Sequence, residues 1–225
     1  MILAAGFGTR LKPLTINTPK ALVTHEGIPL IEHVLVKLIS AGIDEIVINI
    51  HHFSEQMEEY FRKNDFGIKL HLSKEKEILG TGGGIKNTRS FLEDSGSFLV
   101  YNADVISDID IREMYSSHIS NKSFVTLAVS ERESSRPLLF NENNNLAGYV
   151  TANAVIKNSE ESGTTLKKAF CGVHILSSEI FSLFPVEDKF DIIPFYSKLA
   201  ENKFITFFDI GSAKWKDMGK YTDFS

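Results

Sequence analysis

The sequence predicts an α/β fold, a mixed and mainly parallel sheet with helices on its faces. Three observations carry this. Short apolar or β-branched runs alternate with stretches of helical spacing along the first half of the chain. The runs are short and continuously apolar, as in Glu45 to Ile50 (EIVINI), which is how a buried strand reads. The first run, Met1 to Ala5, breaks at once into Gly6-Phe7-Gly8, where glycine lets a strand turn sharply into a loop.

The elements follow in order. Met1 to Ala5 is a strand. Ile28 to Ala41 repeats apolar residues at Ile31, Val34, Leu35, Leu38 and Ile39, and Gly42 stops the helix. Glu45 to Ile50 is a strand, and Ser54 caps a helix running to about Arg62 with Met57, Tyr60 and Phe61 inward. His51 and His52 end that strand. Neighbours in a strand point to opposite faces, so they are not read as a metal pair. Gly67 to Leu72 is a strand. Three glycines, Gly82 to Gly84, precede a helical pattern reaching Leu92. Ser97 to Tyr101 is a strand, Asp110 to His118 a helix, and Phe124 to Val129 a strand. Ser130 to Pro137 is charged and irregular. Leu138 to Phe140 and Leu146 to Val150 form a hairpin around Asn143-Asn144-Asn145. Asn158 to Gly163 is an exposed loop. Lys168 to Leu176 is a strand, Glu179 to Phe184 and Asp191 to Asn202 are helices, and Phe204 to Phe208 is a strand. No repeat or low-complexity linker divides the chain, so residues 1–225 are expected to form a single domain.

Composition excludes several classes of function. Lys and Arg number 24 against 29 Asp and Glu, a formal net charge of -5. Binding to bulk nucleic acid or to a membrane surface calls for a basic face, so neither is expected. No apolar run is long enough to span a bilayer, and the N-terminus lacks the charged leader of a signal peptide. Cys171 is the single cysteine, so no intrachain disulfide forms and a cytoplasmic location is expected. It reads as a small buried apolar residue.

Chemistry concentrates in a few places. Glycines just after a strand can point several N–H groups into one concavity, which suits a phosphate. Arg10 adds a planar cation that forks onto phosphate oxygens, and Lys20 adds a second cation at the end of the same irregular segment. The spacing fits neither the ATPase phosphate loop, which needs Gly-Lys-Ser/Thr after four residues, nor the dinucleotide fingerprint, since position 11 is Leu. Asp104 follows the strand Ser97 to Tyr101, at the end where open α/β sheets bind ligands. It is a candidate Mg²⁺ ligand, because a hard oxygen donor suits a metal that bridges to phosphates. It could instead cap the next helix, although Asp108 and Asp110 fit that cap better. Arg136 is a sugar or phosphate contact or else a solvated surface arginine.

The opening string, LAAGFGTRLKPLT followed by Pro19-Lys20-Ala21-Leu22, resembles the signature of the sugar-1-phosphate nucleotidyltransferases. Gly80-Thr81-Gly82-Gly83 is similar to that family's glycine segment, and Trp215-Lys216-Asp217-Met218-Gly219 to its closing Trp-x-Asp-x-Gly. The glycine segment looks especially like that of bacterial N-acetylmuramate-1-phosphate uridylyltransferases and their mannose-1-phosphate guanylyltransferase relatives. One departure is Ala103, where the family usually has glycine before the acid.

The resemblance implies a Rossmann-like nucleotide-diphospho-sugar transferase fold. It implies Mg²⁺-dependent transfer of a nucleotidyl group from an NTP to a sugar-1-phosphate. On that reading Asp104 and Asp217 hold the metal, Arg10 grips the β- and γ-phosphates, and Lys20 neutralises charge at the reacting centre. Gly6, Gly8 and Thr9 give backbone contacts, while Leu3, Ala4, Ala5, Gly82 and Gly83 border the base. Gly172 lies near the sugar ring, and Arg136 falls in the part of the chain that builds the sugar-phosphate pocket. The chain ends soon after Asp217, which favours the minimal uridylyl- or guanylyltransferase type. Two alternatives stand beside it: cytidylyl transfer to an alcohol phosphate such as phosphocholine, and a nucleotide-sugar-binding regulatory subunit without turnover. The sugar, the base and the oligomeric state are left open.

Overall fold

The computed structural model describes residues 1–158 and 165–224. The first strand, β1 (Ile2–Leu3), leads through the glycine turn and a long loop to a small hairpin, β2 (Thr24–His25) and β3 (Ile28–Pro29). Then come α1 (Leu30–Ser40), β4 (Glu45–Ile50), α2 (Ser54–Lys63), β5 (Lys69–Lys74), α3 (Gly80–Lys86), α4 (Arg89–Leu92) and β6 (Ser97–Asn102). The second half holds β7 (Val105–Ser107), α5 (Ile111–Ser120), β8 (Val125–Ser130), β9 (Leu138–Phe140), β10 (Leu146–Val150) and β11 (Val155–Lys157). Last come the long β12 (Leu166–Ser177), a 3₁₀ turn, α6 (Ile192–Leu199), β13 (Ile205–Asp209) and β14 (Trp215–Asp217).

The main sheet has the order β11-β10-β9-β12-β6-β1-β4-β5, with β8 and β13 joined through β12. β6, β1, β4 and β5 run parallel, and β12 enters antiparallel to β6. The predicted mixed, mainly parallel character is therefore present. From β1 the chain winds outward through β4 and β5, then returns to the other side of β1 as β6. That reversal makes a topological switch point between β1 and β6, and crevices open there at the carboxyl ends of the strands.

Two apolar clusters fill the faces of the sheet. One packs α1, α2 and α5 around Ile31, Leu35, Ile48 and Met114; the other packs α6 around Val100, Leu127, Ile180 and Tyr196. Both faces are covered, which is why β4 and β8 are apolar on both sides.

Four expectations need correction. Ser54 does not cap α2 but is its first residue, after Phe53 at a left-handed φ of 56° and with no side-chain cap bond. The helix expected from Ile28 starts at Leu30, because Ile28 and Pro29 pair back onto Thr24 and His25 around the turn Glu26-Gly27, both at positive φ (52° and 79°). Glu179 to Phe184 is not an α-helix but a 3₁₀ turn over Ser178–Ser182, opened by Ser177, whose side chain accepts from Glu179 N–H. The glycine run does not precede a helix: Gly80–Lys86 is itself the helix α3. Of the loop expected over Asn158 to Gly163, only Asn158 lies among the described residues, half-buried and donating to the Leu146 carbonyl at 2.9 Å.

Candidate active site

The turn after β1 is tied back on itself. Gly8 takes a left-handed φ of 63°, and a Cβ there would come 2.9 Å from Thr15 Cγ2 and 3.0 Å from Lys20 Cβ. Its carbonyl accepts from Leu11 N–H at 2.9 Å and from Thr15 Oγ1 at 2.8 Å. Among the described hydrogen bonds, none is donated by the N–H groups of Gly6 to Arg10. The turn thus presents a row of free donors, the arrangement that receives an anion.

Asp104 sits two residues beyond β6, and its carboxylate pairs with Lys20 Nζ. Asp217 is brought to it by a short ladder: β14 runs antiparallel to β7, with Asp217 opposite Val105. Met218 N–H then donates to the Asp104 carbonyl at 2.7 Å. Gly219 N–H closes on Asp217 Oδ1 at 2.8 Å. Gly219 marks where the groups meet. A Cβ on it would lie 2.7 Å from Asp217 Oδ1, 2.9 Å from Arg10 Nη2 and 3.4 Å from Asp104 Oδ2. Residues 10, 104 and 217, far apart in the chain, converge on one glycine.

Electrostatics record this crowding. Burial first, and then the charge of Asp104, hold the Asp217 carboxyl above its usual range, against the opposing pull of Lys20, Gly219 N–H and Arg10. Two carboxylates facing one point disfavour each other's charge unless a cation comes between. Mg²⁺ commonly takes one or two protein carboxylates and completes its shell with waters and substrate phosphates. The donor set therefore fits that ion.

A cleft of about 330 Å³ opens beside the pair, lined by Leu3, Ala4, Ala5, Gly6, Lys20 and Asp104 among others. Thr9 and Arg10, exposed in a 3₁₀ turn, are not among the residues that line it, and Arg10 reaches the acid pair beside Gly219. Gly82 and Gly83 do not line this cleft; Gly80 and Thr81 do. The reason is packing. The N–H groups of Gly82 and Gly83 donate to the Phe190 carbonyl at 3.0 and 3.3 Å. A Cβ on Gly82 would lie 2.2 Å from the Phe190 ring, and one on Gly83 2.0 Å from the Asp188 carbonyl. These two glycines let α3 press against the 188–190 segment, and at this point the cleft wall is formed by Gly80 and Thr81.

The second half of the chain supplies the rest. Gly172, at φ 76°, lies against the side chain of Asn102, 2.8 Å from Nδ2 to a built Cβ, so it packs beneath the Asp104 loop. Arg136 lines a separate cavity of about 690 Å³ that meets the cleft at Thr81 and Asp191. Trp215 is braced from two sides: its Nε1 donates to the Cys171 carbonyl at 2.8 Å, and the Arg132 guanidinium lies 4.1 Å over its ring. This fixes the strand that delivers Asp217. Cys171 is buried, and burial pushes its thiol pKa up, so it is packing rather than a nucleophile.

One buried link was not read from the sequence. Asn49 Oδ1 accepts from Ala4 N–H at 2.7 Å, Asn49 Nδ2 donates to Glu75 Oε1 at 2.7 Å, and Glu75 Oε2 accepts from Leu79 N–H at 3.1 Å. The link ties the turn after β1 to the start of α3 and so fixes the width of the cleft. The only signal in the sequence was a polar residue inside an apolar strand, Asn49 in EIVINI.

This fold and site define a class: an α/β protein that gathers a glycine turn, two cations and two carboxylates at the carboxyl edge of its parallel strands. The chain belongs to the nucleotidyl transferase family, whose model matches residues 1–225. It is similar to the mannose-1-phosphate guanyltransferase of Kluyveromyces lactis, 30% identical over 227 residues, covering 100% of this chain and 62% of that protein. The chain thus spans less than two thirds of that relative's length. Its fold resembles HddC of Yersinia pseudotuberculosis in complex with GMP-PN, at a TM-score of 0.78 and 24% identity, covering 99% of this chain and 94% of the other. It also resembles a UDP-glucose pyrophosphorylase complexed with UDP-glucose, at a TM-score of 0.77 and 19% identity, with 99% and 94% coverage. Among the described residues, no helix is long and apolar enough to cross a membrane.

Proposed function

We propose that the chain transfers a nucleotidyl group from an NTP to a sugar-1-phosphate in the cytoplasm, giving an NDP-sugar and pyrophosphate. Guanylyl transfer to mannose-1-phosphate is the first pair to test, from the likeness to the Kluyveromyces lactis enzyme. Uridylyl transfer is the second, since the glycine segment resembles the uridylyltransferases. The observation that carries the reading is the convergence of Arg10, Asp104 and Asp217 on Gly219.

The chemistry is a single displacement. An oxygen of the sugar-1-phosphate forms a bond to the α-phosphorus, and the bond from that phosphorus to the bridging oxygen breaks. Pyrophosphate leaves with the electron pair. The attacking oxygen is already ionised, so no proton has to be removed. The barrier is the approach of two anions, and catalysis is positioning and charge neutralisation. Free N–H groups of the turn hold the triphosphate. Arg10 stabilises the charge that grows on the departing pyrophosphate. Lys20, tethered to Asp104, stands where the two phosphates meet. Mg²⁺ held by Asp104 and Asp217 would supply charge neutralisation at the α-phosphate.

The test is pyrophosphate release from a grid of NTPs against sugar-1-phosphates, with and without Mg²⁺. Turnover with at least one pair, lost on chelation, is the expected result. Tight binding of a nucleotide sugar with no release from any pair would favour the regulatory reading instead. A second expectation concerns Arg10. Arg10→Ala should raise the KM for NTP by about tenfold or more and that for the sugar phosphate far less, because the β- and γ-phosphates it grips are already present in the bound nucleotide. Equal rises on both substrates would remove that role.

A further inference from the structure

Asp191 is an exposed residue at the start of α6. It immediately precedes α6, where an aspartate ordinarily turns back to accept from an early N–H of the helix. It makes no such bond. The third helical residue is Pro194, which has no N–H to give, the Ile192 N–H goes to Thr81 Oγ1 at 3.2 Å, and the Ile193 N–H donates no bond to the Asp191 side chain. Among the described residues its carboxylate has no hydrogen-bond or ion-pair partner.

Its location is specific. Asp191 lines both the cleft that holds Lys20 and Asp104 and the larger cavity leading to Arg136. The neighbouring wall is fixed: Gly80 is at φ 73°, and a Cβ there would lie 3.3 Å from Asp191 Oδ1 and 2.8 Å from the Phe190 carbonyl. The larger cavity contains none of the phosphate turn and neither member of the acid pair. It is lined by two half-buried aromatic residues, Tyr149 and Phe170, together with polar residues such as Arg136 and Asn153.

That combination suits a sugar ring. The C–H face of a sugar lies on an aromatic surface, and its hydroxyl rim donates to an acceptor-only group such as a carboxylate. We propose that Asp191 is a specificity-determining residue that accepts hydrogen bonds from hydroxyl groups of the acceptor sugar. This rests on the nucleotidyl-transfer reading above and adds to it the group that selects the acceptor. Exposed and solvated in the free protein, the carboxylate loses water when a sugar covers it. A sugar that cannot donate leaves it desolvated without compensation, and that costs more than a missing apolar contact.

The experiment uses the full chain with the substrate pair found active in the grid, and a set of deoxy analogues of that sugar-1-phosphate. Asp191→Asn and Asp191→Ala are compared with the wild type. The carboxylate has no partner in the fold, so both variants should melt with the wild type. Expected are a fall of about thirtyfold or more in kcat/KM for the sugar phosphate and a KM for NTP within about twofold of wild type. At least one deoxy analogue should be used equally by wild type and Asp191→Ala, which identifies the hydroxyl contacted. A rise in the NTP KM with the sugar phosphate unaffected would overturn the proposal and turn Asp191 toward the base. A loss of the same size on every deoxy analogue would overturn it too. Active wild type with indifferent Asp191 variants sinks this assignment alone, whereas wild type inactive on every pair sinks the transfer reading and this assignment together.

Discussion

Asp104→Asn and Asp217→Asn should each leave a folded protein whose turnover is lower by about a hundredfold or more. The fold should survive because the main chain, not the carboxylates, joins the two loops. Met218 N–H donates to the Asp104 carbonyl, and β14 pairs with β7, whatever the side chains carry. The rate should fall because an amide keeps the shape but loses the charge that holds a divalent cation. In Asp104→Asn the loss is double, since Lys20 also loses its anionic partner. Stability should move the other way in Asp217→Asn. A carboxyl whose pKa is raised on folding costs stability once it ionises. Removing that charge should leave the melting temperature at neutral pH unchanged or raised. A variant that is dead but no less stable is the signature of a site strained for function. Pyrophosphate release across a Mg²⁺ titration, paired with thermal melts, tests both halves. Near-normal rates from either variant at ordinary Mg²⁺ would refute the metal assignment.

The parts legible in the sequence are those with local causes. β1, β4 and β6 announce themselves by continuous apolar runs, and Gly8 by a strand that must turn at once into a phosphate-sized bend. The pairing of Asp104 with Asp217 was reached only through resemblance, because nothing local says that β14 lies beside β7. α3 was misread for a physical reason. Glycine costs about 1 kcal/mol against alanine in a helix, so three in succession argue for a loop. Tertiary packing overrides that preference here. Gly82 and Gly83 touch the 188–190 segment, and a Cβ on Gly84 would lie 2.8 Å from Asn49 Nδ2 and 2.9 Å from Glu75 Oε1. Each glycine is required by a neighbour that is remote in sequence. The same blindness hid the Asn49–Glu75 link, whose members are 26 residues apart. It also hid Asp191, which has the look of an ordinary cap until its carboxylate is seen to make no cap bond and the residue to line both cavities.

Acid should weaken this fold steeply, and two histidines explain why. His174 lies wholly inside the sheet on β12, with Phe170 stacked at 5.5 Å and Tyr196 edge-on at 5.7 Å. Neither ring nitrogen has a partner. Burial pushes its pKa from 6.5 down to about 3. His118 on α5 is also buried, with Thr126 Oγ1 2.9 Å from Nδ1 and Ser97 Oγ 3.3 Å from Nε2; burial pushes it from 6.5 down to about 4. Both are neutral when folded and basic when unfolded, so unfolding takes up protons below pH 6.5. The stability they permit is full above that value and drains as the pH falls toward their folded pKa values. At pH 5 the loss is roughly 2 kcal/mol for each histidine. Asp217 works in the opposite sense, because protonation relieves it, but one half-buried carboxyl against two buried imidazoles offsets only part. Urea unfolding at pH 7.5 and pH 5 should therefore show a drop of about 3–4 kcal/mol in the wild type. His174→Phe, which keeps an aromatic ring between Phe170 and Tyr196, should lose about half of that drop. An unchanged pH slope in His174→Phe would mean that the imidazole at 174 is not buried neutral in the sheet.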